Sequence, residues 1–207
     1  MEKETTSVEC ENLQLRKTST ISLFPEFSGK SNLTSFNSNL IAANNNSIFI
    51  LNKDFSFKNS LSLDLEITIL AASSLLLAAA SSSRVFIIDK DFSISHSFDI
   101  SDPVVILPNP TSDTFVILTS SNELFHLDSS YSLSKIPIKG VETVTWSQKG
   151  KQLACGVDGS IIQITIDGTV RNTIPHPPSF PNSRILDIQW IENKVFIINL
   201  GFYYIDW

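Results

Sequence analysis

The chain has 207 residues, a formal net charge of −6 and only 17% charged residues. An acidic balance without clustered Lys and Arg argues against direct nucleic-acid binding and against an anionic-membrane surface. Two cysteines in unrelated contexts, Cys10 and Cys155, exclude a cysteine-based zinc site and fit a reducing compartment.

In chain order, the opening MEKETTSVEC is acidic and lacks the apolar stretch of a secretory signal. Residues 1–30 form an N-terminal segment whose strand-like run, 13–24, is expected to supply a closing strand. From there a short phrase recurs about every 38 residues: an apolar run, then Asn or Asp, then polar residues and, in three copies, an aromatic. The copies are IFILNKDFSF, VFIIDKDFSI, LFHLDSSYSL, IQITIDGTV (with Val170 in the aromatic's place) and a terminal FYYIDW. The marker residues Asn52, Asp89, Asp128, Asp167 and Asp206 are spaced by 37, 39, 39 and 39.

A period near 40 made of strand-like pieces is the arithmetic of a β-propeller with one four-stranded blade per repeat. The fold class is therefore all-β and WD-repeat-like, with about five blades over 31–62, 63–100, 101–139, 140–178 and 179–207. Third strands are expected at 48–51, 85–88, 124–127, 161–166 and 202–205. Second strands precede them at 40–43, 75–80, 114–119, 152–156 and 194–199. First strands are expected at 65–70, 104–107, 141–146 and 185–190. Alternating outer strands should begin at Phe55-Ser56-Phe57 and at 92–95, with one face packed and one wet. Gly is scarce at 7, so turns must lean on Asn, Asp and Ser. No segment has a sustained 3.6-residue period, and almost no helix is expected.

One segment, 67–83, imitates a membrane span. It is too short for the roughly 20 residues a span needs, and Ser73 and Ser74 interrupt it. It falls in phase with the repeat as two buried strands joined at 71–74, so membrane insertion is not expected. The locally basic stretch of Lys135, Lys139, Lys149 and Lys151 is interrupted by Glu142 and reads as a solvated edge.

The marker Asp has two explanations. Its carboxylate can accept backbone N–H bonds in the turn after the third strand, or acids from successive blades can form a cation-binding or catalytic ring. The first is favoured, because a residue recurring once per structural unit usually serves the unit. The three histidines, His96, His126 and His176, fall in different blades at non-equivalent positions, and His126 reads as a packed or edge histidine. No nucleophile elbow, phosphate-cradling glycine loop or zinc spacing is present. The chain is expected to be non-enzymatic, with no catalytic, cofactor-binding or metal residues.

The most specific segment is residues 141–180, followed by RILDIQW at 184–190. Its distinguishing residues are Val144-Thr145-Trp146-Ser147, Lys149-Gly150-Lys151-Gln152-Leu153-Ala154, Gly156 and Asp158-Gly159. Ile174-Pro175, Pro177-Pro178, Phe180, Ile185-Leu186-Asp187 and Gln189-Trp190-Ile191 continue the match. A second match, Glu11-Asn12-Leu13-Gln14-Leu15-Arg16, lies near the start. These stretches resemble the N-terminal β-propeller of the nucleoporins on the cytoplasmic face of the nuclear pore complex.

That resemblance implies a protein-interaction module in mRNA export and nucleocytoplasmic transport. Its implied partners are other nucleoporins and the DEAD-box RNA helicase those propellers dock. The family's propeller has seven blades followed by Phe-Gly repeats and coiled coil. This chain accounts for five and contains no Phe-Gly dipeptide and no heptad. Two architectures follow: a compact ring closed by the N-terminal strand, or an incomplete seven-bladed propeller. A generic propeller scaffold in another assembly is the alternative function. Partner-binding residues are left unassigned.

Overall fold

The computed structural model describes residues 32–175, 185, 187–191, 194–198 and 202–206. The expected closing strand within 13–24 lies outside them.

Five antiparallel meanders follow one another in chain order. Sheet one is β1 (Asn32–Phe36), β2 (Asn39–Asn44), β3 (Ser47–Leu51) and β4 (Phe57–Ser62). Sheet two is β5 (Ile69–Ala72), β6 (Leu77–Ala80), β7 (Arg84–Ile88) and β8 (Ile94–Asp99). Sheet three is β9 (Pro103–Pro108), β10 (Phe115–Thr119), β11 (Leu124–Leu127) and β12 (Leu133–Ile136). Sheet four is β13 (Val141–Trp146), β14 (Gln152–Val157), β15 (Ser160–Thr165) and β16 (Val170–Ile174). Sheet five has three strands, β17 (Asp187–Ile191), β18 (Lys194–Ile198) and β19 (Phe202–Asp206).

Neighbouring sheets pack through their first strands, β1 on β5, β5 on β9 and β13 on β17. The second strands of sheets two, three and four are apolar on both sides because each of these sheets is covered on both faces by a neighbour. Every residue of β6 and of β10 is buried. The run Ala78-Ala79-Ala80 in β6 keeps its side chains small where sheets one and three close on sheet two. Outer strands run the other way: in β4 and β16 nearly every residue is exposed.

There is consequently no central core. Four apolar clusters fill the four seams, with Phe36, Ile48 and Phe86 between sheets one and two, and Ile87, Ile106 and Phe115 between two and three. Val116, Trp146 and Leu153 lie between three and four, and Ala154, Ile161 and Ile188 between four and five. Each fully buried Ile, Leu or Phe contributes about 1.5–3 kcal/mol, so the seams carry most of the stability. Among the described residues no cluster joins sheet five to sheet one. The sheets form an open arc, as in an incomplete propeller.

Turn chemistry replaces the missing glycines. Asn37 and Ser38 (φ 48° and 61°) close β1–β2, and Asp158 with Gly159 (φ 46° and 75°) close β14–β15. Positive φ at both central residues matches the strand twist in a two-residue hairpin. The apolar stretch at 67–83 is a hairpin, β5–β6, but its turn falls at 73–76, not 71–74, because the Ser73 N–H donates to the Leu76 carbonyl (2.9 Å) and the second strand starts at Leu77, not residue 75. No described helix is long and apolar enough to cross a membrane.

Two strand expectations shift. The first strand of sheet two starts at Ile69, not residue 65, because Leu63 and Ile67 donate their N–H groups to Asn46 and Asn45 in the β2–β3 turn (2.7 and 2.6 Å). The outer strands start at Phe57 and Ile94, because Phe55 and Phe92 belong to turns in the left-handed region (φ 66° and 60°).

Candidate interaction face

Propeller function resides in turns, and strand alternation sorts them into two ends. One end carries the turns between first and second strands and between third and fourth. The third-to-fourth turns share one hydrogen-bond pattern. The N–H of Asn52, Asp89 and Asp128 donates to the carbonyl four residues on, and the N–H of Phe55, Phe92 and Tyr131 donates back to that marker's carbonyl. Each of those three aromatics has positive φ, 60–66°, where a bulky residue pays about 1–2 kcal/mol of backbone strain. Inside the arc the ring recovers this by lying on the preceding sheet. Phe92 meets Phe36 of β1 edge-to-face at 5.8 Å, and Tyr131 stacks on His96 of β8 at 3.9 Å.

Sheet four departs from this pattern, and the marker Asp is displaced with it. There the pattern runs from Thr165: its N–H donates to Thr169, and Gly168 (φ 84°) donates to Thr165. Asp167 is thus the equivalent of Asp54, Asp91 and Ser130, two residues beyond the marker position. Gly168, not Val170, takes the aromatic's place. A Cβ at Gly168 would lie 2.6 Å from Pro137 Cδ, so the proline of the preceding sheet fills the space a ring fills elsewhere.

The turn acids are engaged locally. Asp89 Oδ1 accepts the N–H groups of Asp91 and Ser93, and Asp128 Oδ1 those of Ser130 and Ser132. The Ser130 hydroxyl, then the Ser132 N–H, hold Asp128 below the usual carboxylate range. The Thr165 hydroxyl and the Thr169 N–H hold Asp167 at about 2. In sheet one Asn52 has no carboxylate, and Asp54 accepts from Ser56 in its stead. In sheets one to four these acids are turn-formers. Among the described residues no three His, Cys, Asp or Glu are grouped to hold a metal.

Other polar groups at this end tie the sheets together. Asp113 Oδ1 accepts from the Ser73 and Ser74 hydroxyls and the Leu75 N–H at 2.8–2.9 Å. Burial raises its pKa, and these donors together outweigh that and lower it. Asn109 Nδ2 donates to the Gly150 carbonyl (2.8 Å), beside Lys149 and Lys151. Trp146 Nε1 donates to the Leu107 carbonyl (3.2 Å), and its ring meets the edge of His126, 6.5 Å away. Burial pushes the His126 pKa down, with Asp128 acting in the opposite sense. His176 lies outside the described residues, and the three histidines are not brought together. Cys155 is wholly buried, and burial pushes its thiol up to about 12.

The opposite end, formed by the second-to-third turns and the inter-sheet connections, is different. It gathers Asp64, Glu66, Asp99, Asp102, Glu123, Glu142 and Asp158 against Arg84, Lys135 and Lys139. Arg84 is held between Asp64 (3.5 Å) and Asp99 (3.0 Å), and Lys135 is paired with Glu123. Glu66, Asp102 and Asp158 are exposed and have no cation partner among the described residues. Glu142 is half-buried, its Oε2 out of reach of water, but the exposed acids at this end face water instead of turn N–H groups and present an acidic rim. Individual contact residues carry no sequence motif; only summing acids by turn and end reveals the rim.

A profile described as NUP159/214 beta propeller matches residues 51–202, nearly three-quarters of the chain. The chain belongs to that family. Within the NUP159/214 propellers, nucleoporin nup146 of Schizosaccharomyces pombe is 37% identical over 100 residues, 47% of this chain and 8% of that protein. Nucleoporin NUP159 of Chaetomium thermophilum is 47% identical over 58 residues, 28% of this chain and 4% of that protein. The chain therefore spans less than a tenth of the length of these curated relatives. Among solved structures, the N-terminal domain of Nup159 superposes with TM-score 0.62 at 14% identity, covering 84% of this chain and 56% of the other. Kluyveromyces lactis Hsv2 gives 0.69 at 12% identity, covering 86% and 61%. At these identities the structural likeness speaks for the propeller fold alone.

Proposed function

We propose that this NUP159/214-type propeller is a non-enzymatic docking module of the nuclear pore complex, on its cytoplasmic face, acting in mRNA export. The acidic rim supports this reading. Exposed carboxylates on rigid turns attract a basic protein surface, speed encounter and compete with RNA for it. The partner of that chemistry is a DEAD-box RNA helicase, whose RNA-binding surface is basic; other nucleoporins are further partners.

The test is a pull-down of a purified DEAD-box export helicase at about 50 and 500 mM salt, with the parent chain and with Glu66→Lys/Asp102→Lys/Asp158→Lys. Micromolar capture at low salt, weakened at high salt and by the triple change, is expected; no capture at either salt removes the helicase role. A second reading, a scaffold in another assembly, draws on the equally good superposition with propellers that are not nucleoporins, such as Hsv2. A fluorescent fusion that fails to ring the nuclear envelope would favour it.

A further inference from the structure

Within the acidic end lies one place of opposite character. The β10–β11 turn and the β12–β13 connection flank a hollow of about 350 Å³ at the edge of sheet three, where the chain leaves for sheet four. Asn122 and Glu123 form one wall; Lys135, Pro137, Ile138 and Lys139 form the other. Both walls are fixed. Asn122 and Gly140 sit in left-handed backbone (φ 62° and 71°), and the Val141 N–H donates to the Asn122 carbonyl. Behind the hollow, Pro137 rests against Gly168 of the next sheet, with no room even for a methyl group.

Charge selects the occupant. Lys135 is neutralised by Glu123, and Arg84 by two aspartates, whereas Lys139 is exposed and takes part in none of the ion pairs among the described residues. The hollow is therefore an apolar cup with an uncompensated cation at its lip, set in a rim that repels anions elsewhere. Its volume is at the small end of the range for ligand sites, ~300–1,000 Å³. That admits one or two side chains and no folded element.

We infer that this hollow is a docking site for a short extended peptide of a partner protein, an apolar side chain entering against Pro137 and Ile138 while a neighbouring carboxylate meets Lys139. The hollow is set in the rim proposed to hold a basic partner, shares Glu123 with it and is of opposite sign at Lys139. Partly desolvated charge pairing of this kind gives specificity and sets orientation more than it adds affinity, and weak binding is expected.

The experiment uses the isotope-labelled full chain and a blocked peptide, acetyl-Ser-Leu-Glu-Phe-Asp-Ser-amide, beside a counterpart with Gln and Asn for Glu and Asp. The expected result is amide shifts confined to 121–123 and 135–140, with affinity at least fivefold weaker for the neutral peptide and for Lys139→Glu. Lys139 is exposed, so the variant should keep the parent Tm, and Lys139→Arg should bind as the parent does. Shifts elsewhere on the arc overturn the proposal. So do equal binding of the neutral peptide, indifference to Lys139→Glu, or the same shifts from inorganic phosphate alone. None of these outcomes depends on whether a helicase binds the rim.

Discussion

The third-to-fourth turns of sheets two and three and that of sheet four solve one packing problem in opposite ways. Sheets two and three place an aromatic in strained backbone and let its ring seal the seam behind it; sheet four relaxes the backbone with Gly168 and takes its apolar filler from the preceding sheet as Pro137. The space is conserved while the chain that fills it is not. Seam packing, rather than turn propensity, sets the residue.

Forcing one solution into the other's place should have the largest effect. Gly168→Phe puts a Cβ inside van der Waals contact of Pro137 and in left-handed backbone; overpacking and strain together should cost about 2–4 kcal/mol by urea denaturation. Phe92→Ala should cost about 2 kcal/mol, having lost a half-buried ring but kept the strain. Phe92→Gly should be milder by about 1 kcal/mol, the reverse of the usual order in a strand, because Gly pays nothing for positive φ. If Gly is the worse of the two, the strain account is wrong.

His126 sharpens the comparison at the seam between sheets three and four, where Trp146 supplies the aromatic. Its folded-state pKa lies below the ordinary 6.5, so the fold binds its proton less well than the unfolded chain does. Stability should be full above about pH 6.5 and fall as pH drops below it. His126→Phe, which keeps the contact with Trp146, should flatten the dependence of Tm on pH between about 7.5 and 5. The smallest effect belongs to Phe55, which has the same strained turn, is 43% exposed and lies outside every described apolar cluster. Phe55→Asn should change stability by no more than about 0.5 kcal/mol, in contrast to Phe92.

Repeat arithmetic made the sheets legible, because a strand sandwiched between two others must be apolar on both faces, and such runs as 115–119 and 85–88 fit that place. The turns were less legible. Phe55-Ser56-Phe57 alternates as a strand does, and an aromatic is a strand former by propensity; nothing local says that Phe55 occupies left-handed backbone. Asp167 was misplaced by two residues because Ile166 prolongs the apolar run, and the deciding residue, Gly168, defines the turn from outside the motif. The acidic rim had no linear signature, since its members come from separate turns that only the meander brings to one end. Trp146, prominent in the sequence, proved to be a seam residue bonded to Leu107.

The burial of Cys155 has a practical consequence. A sulfur held as the neutral thiol, wholly covered on β14, cannot be alkylated while sheet four stays seated. In a Cys10→Ser background, its labelling rate by a small thiol reagent would therefore count excursions in which the third sheet parts from the fourth. The molecule carries its own clock for the opening of that joint.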